Sequence, residues 1–307
     1  MIIDGKELGS IFLAPMAGVT EIGFRTVCKM AGADMTYTEM VNANALVHNS
    51  DKTKDLLLTS NIEKPVAVQI FGHDEKIMAE VCKSELLEKF DIIDINFGCP
   101  APKIVKNGDG SALLNDLNKV YKIVSNCVNA SKKPITCKFR IGFNTGQNIA
   151  REIAKVCEDA GAKMLTVHGR TKEQMYSGAV DYDAIANVKS AVKIPVVGNG
   201  DIVDICSYQK MLQTGVDGVL IGRGALGNPN IFARLKGKEE LNKVQLIAKH
   251  IEMLRQHFDE RFVGATMRKH LLWYISGEEN ASKIKLQVAT SPSLDDAFNL
   301  VKNILEK

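Results

Sequence analysis

A cysteine in the segment Asn96-Phe97-Gly98-Cys99-Pro100 has the surroundings expected of a reactive thiol. It follows a short apolar run, and the glycine and proline beside it favour a turn that exposes the thiol. An ordinary thiol pKa of about 8.5 leaves it mostly protonated at pH 7, so Cys99 can act as a general acid. A nucleophile would need a neighbouring base, and no histidine directly flanks this segment. The alternative is a buried turn cysteine with no chemical role.

Polar and glycine residues end nearly every short apolar run in the first 225 residues. A chain with a purely structural role has no reason to place such residues so regularly, so the pattern indicates an enzyme. Besides the cysteine segment, they are Pro15-Met16-Ala17-Gly18, Glu39, Gln69, Lys138, Arg140, His168-Gly169-Arg170, Asn199-Gly200-Asp201 and Gly222-Arg223-Gly224.

The last two of these groups predict a phosphate site. Glycine lets backbone N–H groups approach a phosphate, a helix N-terminus adds partial positive charge, and Arg223 can bind with two hydrogen bonds. The alternative is a pair of simple tight turns. Because these groups end the seventh and eighth apolar runs, where barrels of parallel strands often hold phosphate, we favour the phosphate site.

Lys138 and Gln69 lie inside apolar runs, and His168 ends one. Burial of a lysine is costly unless a partner compensates for it. Lys138 is therefore either paired within the core or placed beside a ligand, such as the electron-rich pyrimidine edge of a flavin. His168 is either a satisfied polar residue or a ligand contact, and its place among the other polar ends favours the contact.

Eight apolar runs with the character of β-strands must position these residues. Their starts are about 24 to 42 residues apart, which is the length of one strand, one helix and two loops. Nearly continuous apolar runs are typical of a parallel sheet covered by helices, so we predict a (β/α)₈ TIM barrel. An open doubly wound sheet usually needs fewer units and a Gly-x-Gly-x-x-Gly turn after an early strand. The runs cover 11–15, 35–41, 65–71, 92–98, 134–140, 164–170, 194–200 and 218–224, with helical patterns at 74–89, 117–131, 147–160 and 203–213 between them.

The strand pattern stops at about residue 236. We therefore expect residues 1–235 to form the barrel and residues 236–307 to form a small all-helical domain. The alternative is a set of helices that only caps the barrel. Amphipathic helical stretches cover roughly 239–259, 264–277 and 293–306.

The positive charge of the chain lies in its last quarter. Residues 234–307 carry 13 Lys and Arg against 10 Asp and Glu, which accounts for the whole net charge of +3. This excess is either ordinary solvated helix surface or part of a contact with a polyanion.

Composition argues against several classes of protein. With 45% hydrophobic and 24% charged residues, the 307-residue chain is typical of folded proteins. No apolar stretch approaches the ~20 residues that cross a bilayer, and the N-terminus lacks the pattern of a signal peptide, so we expect a cytoplasmic protein without membrane contact. Seven scattered cysteines include no Cys-x-x-Cys pair, so neither disulfides nor a bound metal are expected.

The assembled motifs resemble those of the tRNA-dihydrouridine synthase family, and more narrowly its bacterial type-B-like branch. The segment DINFGCP at 94–100, followed by GSALL at 110–114, is highly specific for that family. The other similar segments are LAPMAGVT at 13–20, EM at 39–40, QIFG at 69–72, KFRIG at 138–142, VHGRT at 167–171, NGDI at 199–202, IGRGALGNPNIF at 221–232 and RKHLLWY at 268–274.

This resemblance implies FMN at the barrel mouth, NADPH as reductant, and tRNA as a substrate whose uridines become 5,6-dihydrouridine. It makes Cys99 the donor of a proton to C5 after hydride transfer to C6. Arg268 and Lys269 would contact the RNA, although Leu272 replaces the glycine that is common in that motif. The residues implied to contact the target base are Asn96, Arg140 and Arg170, and those implied to hold FMN are Pro15, Met16, Ala17, Gln69, Lys138, His168, Asn199, Gly200, Asp201, Gly222 and Arg223.

Two other functions fit part of the pattern. An FMN-barrel reductase of a free small molecule, such as a dihydroorotate-dehydrogenase-like enzyme, would share the barrel and the flavin but would not explain the helical tail. A non-catalytic RNA-binding barrel would explain the tail but not the combination of Cys99, Lys138 and His168.

Overall fold

A computed structural model describes residues 1–48 and 50–306, without the side chains of residues 51 and 52. Each of the eight predicted apolar runs forms a strand that begins within two residues of the predicted start. These strands are β3 (Ile11–Leu13), β4 (Thr36–Asn42), β5 (Val66–Phe71), β6 (Ile92–Phe97), β7 (Ile135–Arg140), β8 (Met164–His168), β9 (Val196–Asn199) and β10 (Gly218–Ile221), and they follow a short hairpin of β1 (Ile2–Ile3) and β2 (Lys6–Glu7).

The eight strands from β3 to β10 form one closed parallel sheet. From β4 to β10 each strand pairs with the next one along the chain, and β10 pairs with β3. An isolated parallel bridge between Phe12 and Met35 joins β3 to the start of β4 and completes the ring. The predicted (β/α)₈ TIM barrel is therefore confirmed.

The strands are buried on both faces, which is why their sequences are continuously apolar. One face packs against the surrounding helices in the main hydrophobic core. The other fills the barrel interior, where Phe12, Met35, Tyr37 and Met164 meet Ile3 of the β1–β2 hairpin. The hairpin thus closes the amino-terminal end of the barrel, and the opposite end remains for a site.

Aspartate side chains begin several of the barrel helices by accepting backbone N–H groups. Asp74, Asp116, Asp181 and Asp204 each do so at the first turn of a helix. The predicted helix at 74–89 ends early because Ser84 caps a separate 3₁₀ turn. The helices are α1 (Ile22–Met30), α2 (Ala43–Val47), α3 (Asp51–Asp55), α4 (Glu75–Cys82), α5 (Pro102–Lys106), α6 (Leu117–Ala130), α7 (Ala150–Asp159), α8 (Tyr182–Ala191), α9 (Ile205–Leu212) and α10 (Ile231–Leu235), with 3₁₀ turns at Asn61–Glu63, Glu85–Leu87, Gly110–Asn115 and Arg223–Ala225.

The C-terminal helices pack around a hydrophobic cluster of their own, to which the barrel contributes Ile22. The predicted helix at 264–277 begins earlier because Asp259 accepts the Phe262 N–H at 2.8 Å. A further helix was not predicted, because only Ala281 and Val288 of it are buried and the amphipathic pattern is weak. The division of the chain at residue 235 stays a prediction. These helices are α11 (Lys243–Arg255), α12 (Glu260–Tyr274), α13 (Ala281–Thr290) and α14 (Leu294–Leu305).

Across residues 1–48 and 50–306, the structure contains no helix with the length and apolar character needed to span a membrane.

Candidate active site

The register of the sheet brings the predicted polar residues to one rim of the barrel. Asn96 in β6 lies opposite Lys138 in β7, and Arg140 in β7 lies opposite His168 in β8. His168 in turn lies opposite Asn199 in β9. Because the carboxyl ends of parallel strands meet at the same edge, these side chains share the mouth of the barrel.

Cys99 lies two residues after the end of β6 and is held by two segments of the chain. Its backbone N–H donates to Asn96 Oδ1 at 2.8 Å, and its carbonyl accepts from the Ser111 hydroxyl at 2.8 Å. Gly110 packs so closely that a Cβ atom there would lie 3.1 Å from the Cys99 Cβ, and its φ of +59° also favours glycine. These contacts explain why the cysteine motif and the downstream Gly-Ser pair occur together.

The Cys99 thiol is half-buried, whereas Cys206 is exposed and the other five cysteines are buried. Burial raises the pKa of the Cys99 thiol, against the opposing effects of the Ala101 N–H and the charges of Arg140 and Lys138. The thiol therefore stays protonated at neutral pH, which is the state that a general acid needs. Most of the cysteines therefore fill the core.

A chain of buried hydrogen bonds runs beneath the rim. Gln69 Nε2 donates to Asp94 Oδ2 at 2.7 Å, and the Thr136 hydroxyl donates to Asp94 Oδ1 at 2.5 Å. Asn96 Nδ2 donates to Gln69 Oε1 at 2.8 Å, which leaves Asn96 Oδ1 to accept the Cys99 N–H. Burial raises the pKa of Asp94 to about 6. Asp94 thus orients the side-chain amide of Gln69, which orients that of Asn96, and Asn96 in turn holds the turn at Cys99.

Lys138 and His168 face the mouth of the barrel. Burial, together with Arg140, lowers the pKa of Lys138 to about 8, although Asp94 favours the charged form. Burial and the charges of Arg140 and Lys138 hold the pKa of His168 well below its ordinary value, so the ring is neutral at pH 7. Within the described part of the chain, neither side chain has a hydrogen-bond or ion-pair partner. Both are therefore available to a ligand.

Arg140 and Arg170 are each 2% exposed and hold the loop that follows β8. Arg140 Nη1 donates to the carbonyls of Thr171 at 2.9 Å and Met175 at 2.8 Å. Arg170 donates to the Gly178 carbonyl through both Nε and Nη2. Most of their donors are engaged in this way, so the structure gives both arginines a role in positioning the loop. Their direct contact with a target base stays a prediction.

Asp201 joins two arginines at the ends of β8 and β10. Its carboxylate accepts from Arg223 Nη2 at 2.8 Å and pairs with the Arg170 guanidinium. The hydrogen bond from Arg170 is the largest of the effects that lower the pKa of Asp201. The Arg223 guanidinium also lies 4.8 Å from the ring centroid of Tyr176, and its side chain is 50% exposed. Arg223 can therefore still turn a donor towards a ligand.

Two glycine turns complete this side of the mouth. Gly200 has a φ of +137°, and a Cβ atom there would lie 2.7 Å from Val180, so the position requires glycine. Asn199 Nδ2 donates to a carbonyl of β10 at 2.8 Å and ties the two strand ends together. A Cβ atom at Gly222 would meet only ordinary contacts, the nearest being Met16 Sδ at 3.6 Å. The loop after β3 and the turn after β10 are therefore neighbours.

The loop after β3 is anchored at Gly18. Its N–H donates to the Glu39 carboxylate, and its carbonyl accepts from the Lys269 ammonium in α12. Burial raises the pKa of Glu39. Pro15 is half-buried and Ala17 is exposed, so this loop offers a surface at the mouth.

The two predicted RNA contacts in α12 therefore differ in placement. Lys269 reaches the barrel loop, whereas Arg268 Nη2 donates to the Ser291 carbonyl at 2.9 Å within the C-terminal helices. Both side chains are half-buried. The structure brings Lys269 to the edge of the polar rim and leaves Arg268 away from it.

Sequence reasoning missed three residues that shape the rim. Asp94 was visible as a carboxylate inside an apolar strand, which a buried strand does not otherwise tolerate. Ser111 lies in a segment that was recognised only by resemblance. Tyr176 lies in a loop without a pattern, and only the fold shows that it contacts two arginines.

Comparison with known proteins identifies the family. A family model described as "Dihydrouridine synthase" matches residues 12–307. The chain belongs to this family. The match to the family model extends through the barrel and the C-terminal helices. The resemblance found in the motifs therefore covers nearly the whole chain.

Curated relatives of this dihydrouridine synthase are similar over most of their length. The chain is 38% identical to the "Probable tRNA-dihydrouridine synthase" of Rickettsia conorii, over 92% of this chain and 89% of the relative. It is 39% identical to the "tRNA-dihydrouridine synthase B" of Pseudomonas putida, over 87% and 82% of the two chains. The second name agrees with the resemblance to the type-B-like branch.

Solved structures share the fold at much lower sequence identity. A variant of NCR from Zymomonas mobilis is 15% identical and superposes with a TM-score of 0.53, over 76% of this chain and 88% of that one. TcOYE with pHBA is 12% identical with a TM-score of 0.54, over 74% and 89%. The family match confirms the expected family and class of enzyme, a flavin-dependent oxidoreductase, and the solved structures agree with the expected barrel fold.

Proposed function

We propose that this dihydrouridine synthase reduces particular uridines of tRNA to 5,6-dihydrouridine, with FMN as its bound cofactor and NADPH as the reductant. The names of relatives at 38% and 39% identity support tRNA as the substrate. FMN, NADPH and a cytoplasmic location come from the motif resemblance and from the sequence pattern, and they belong to the same proposal.

The mouth of the barrel fits an anionic, planar cofactor. Lys138 and His168 face it without partners among the described residues, and Arg223 is half-exposed beside the two glycine turns. In this proposal Lys138 lies beside the pyrimidine edge of FMN, and the turns at Gly200 and Gly222 hold the phosphate. When bound and reduced, FMN supplies a hydride to C6 of the uracil ring.

Cys99 supplies the proton in this proposal. Its S–H bond breaks as the new C5–H bond forms, so the C5–C6 double bond of uracil becomes a single bond. Lys138 and Arg140 favour the resulting thiolate, because both of their charges act to lower the thiol pKa. Solvent then returns a proton to sulfur. The observation that carries the proposal is this half-buried, protonated thiol at the polar rim.

The RNA must present an unstacked uridine to reach such a site. Enzymes that act on a base take it out of the stack and into a pocket, and basic side chains hold the neighbouring phosphates. Lys269 lies on α12 at the loop around Gly18, and Arg268 lies on the same helix against the carbonyl of Ser291. They therefore remain the proposed contacts to the RNA backbone.

The proton-donor role is tested with Cys99→Ala, assayed by dihydrouridine formed on unmodified tRNA in a single turnover. Loss of a general acid lowers the rate by about 10²- to 10⁴-fold, so we expect at least a hundredfold loss with flavin content unchanged. Cys206→Ala is the matched control, since that thiol is exposed and lies on α9. A Cys99→Ala enzyme that keeps the wild-type rate would contradict the assignment.

A second readout separates the chemistry from the folding of the variant. Flavin absorbance and tRNA affinity should match the wild-type protein in both variants, because neither substitution touches the predicted flavin contacts. If Cys99→Ala loses flavin as well as activity, the residue supports the site rather than donating the proton.

A further inference from the structure

Three side chains from distant parts of the sequence meet in the buried space between the barrel and the C-terminal helices. Glu21 is the N-cap residue of α1, His250 lies in α11 and His270 lies in α12. One ligand atom from each side chain lies within 4.8 Å of the other two. His250 Nε2 contacts Glu21 Oε1, and His270 Nε2 lies 3.9 Å from the same oxygen.

These groups are deeply buried but incompletely satisfied. Both histidine side chains are 0% exposed and the Glu21 side chain is 8% exposed. Among the residues that the structure describes, neither ring nitrogen of His270 has a hydrogen-bond partner, and Glu21 Oε2 also lacks one. Buried polar atoms in folded proteins nearly always have partners. Glu21 and His270 therefore direct polar atoms without hydrogen-bond partners into one cluster, which indicates that a bound ion or molecule belongs there.

We propose that Glu21, His250 and His270 bind one zinc ion that fastens α11 and α12 to the barrel. Imidazole nitrogen and carboxylate oxygen are ordinary zinc ligands at about 2.0–2.2 Å. In a tetrahedral site, ligand atoms at those bond lengths lie about 3.3–3.5 Å apart. To reach this geometry, the 3.9 Å separation between His270 Nε2 and Glu21 Oε1 would shorten slightly, and the direct contact between His250 Nε2 and Glu21 Oε1 would lengthen as the ion enters between them. Glu21 Oε2 or a water molecule would supply the fourth ligand.

The surroundings of the cluster match those of a metal site. His250 Nδ1, the nitrogen remote from Glu21, lies 3.4 Å from the Tyr274 hydroxyl, and metal-bound histidines usually engage their second nitrogen in this way. Phe24 and Trp273 each lie with ring centroids 5.0 Å from His270 and shield the cluster.

The sequence carries no motif for such a site. Glu21 lies more than 200 residues before the two histidines, and the expectation of no metal rested on the cysteine pattern alone. Only the packing of α1 against α11 and α12 reveals the cluster. The ion would be structural, because the cluster is enclosed and lies apart from Cys99 and Lys138.

The test measures bound metal rather than activity. The full chain is produced in zinc-supplemented medium, desalted and analysed by elemental mass spectrometry, and we expect about one zinc ion per chain. The double variant His250→Ala with His270→Ala should fall to about one-tenth of that content or less. His257→Ala is the matched control, since it removes an exposed histidine just after α11 and should keep the full content. Equal zinc in all three proteins would overturn the proposal.

A second measurement keeps the test decisive if the double variant does not fold. Wild-type protein is stripped with a chelator and titrated with Zn²⁺, and we expect stoichiometric rebinding with a higher melting temperature. Failure to rebind, or an unchanged melting temperature, overturns the site. The zinc-edge X-ray absorption spectrum should show only nitrogen and oxygen neighbours. A sulfur neighbour at about 2.3 Å would place the ion on a cysteine instead.

Discussion

The contact between α1 and α11 makes a specific prediction about Gly23. A Cβ atom at this position would lie 2.6 Å from His250 Cδ2 and 2.9 Å from the His250 carbonyl oxygen. Real Cβ atoms do not approach other atoms so closely, and the carbonyl belongs to the backbone of a packed helix. Gly23→Ala therefore forces α11 away from α1, although alanine is otherwise the better helix residue.

The magnitude follows from two opposing effects. Overpacking of a well-packed core costs about 1–3 kcal/mol, whereas replacing a helical glycine with alanine contributes at most about 1 kcal/mol. We expect Gly23→Ala to lower the free energy of unfolding by about 1–2 kcal/mol. Gly264 in α12 is the matched control, because its Cβ atom would meet only the end of the Arg268 side chain at 3.1 Å. Gly264→Ala should stabilise the protein by up to about 1 kcal/mol.

Urea unfolding followed by circular dichroism measures both variants against the wild-type protein. The two substitutions are chemically identical, so opposite signs can arise only from their surroundings. If Gly23→Ala is as stable as Gly264→Ala, the close approach of α1 and α11 is wrong, and the arrangement of Glu21, His250 and His270 is wrong with it. Loss of bound zinc in Gly23→Ala would accompany the expected destabilisation.

Three further outcomes follow from the site. Because burial and Arg140 lower the pKa of Lys138 to about 8, its protonated fraction falls from about 0.9 at pH 7 to about 0.1 at pH 9. We expect kcat/KM for dihydrouridine formation to fall about tenfold over that range. Lys138→Arg should remove this alkaline transition. A wild-type kcat/KM that does not change with pH would show that the charge of Lys138 is not needed. Burial raises the pKa of Asp94 to about 6, above the unfolded value of about 3.9, so the folded state binds this proton more tightly. The resulting stability is present below about pH 4 and is lost as the pH rises through 6. Between these pH values, the difference in the free energy of unfolding between the wild-type protein and Asp94→Asn should change by about 2–3 kcal/mol. Lys269→Gln should reduce the slope of log affinity for tRNA against log salt by about 1 if Lys269 binds a phosphate, whereas an unchanged slope would limit Lys269 to its contact with Gly18.

The barrel was predictable because its strands are buried on both faces. That burial demands continuous apolar sequence, and the eight runs therefore appear directly in the chain. The polar rim was predictable for a related reason. Packing of the barrel does not require a polar residue at the end of each apolar run. A ligand at the mouth does require such residues, so their regular occurrence indicated a site. Helix α13 was not predictable, because a helix that buries only Ala281 and Val288 needs no apolar stripe.

The partners of the rim residues could not be predicted in the same way. Arg140 and Arg170 were expected to face a target base, yet most of their donors bind backbone carbonyls of the loop after β8. Backbone carbonyls have no signature in the sequence, so an arginine that binds them resembles one that binds a ligand. Asp94 shows the converse, since its position was visible but its link to Gln69 and Asn96 depends on the register of β5 and β6.

The segment between β3 and α1 joins the proposed chemistry to the proposed RNA contacts. Its first part faces the mouth of the barrel, Gly18 in its middle is held by Lys269, and Glu21 at its end contacts His250. Ile22, the next residue, is buried in the hydrophobic cluster of the C-terminal helices. Removal of those helices would therefore expose apolar surface and release the loop at the mouth. The C-terminal helices cannot be treated as a detachable RNA-binding module, and single substitutions such as Lys269→Gln are the appropriate way to separate RNA binding from the integrity of the barrel.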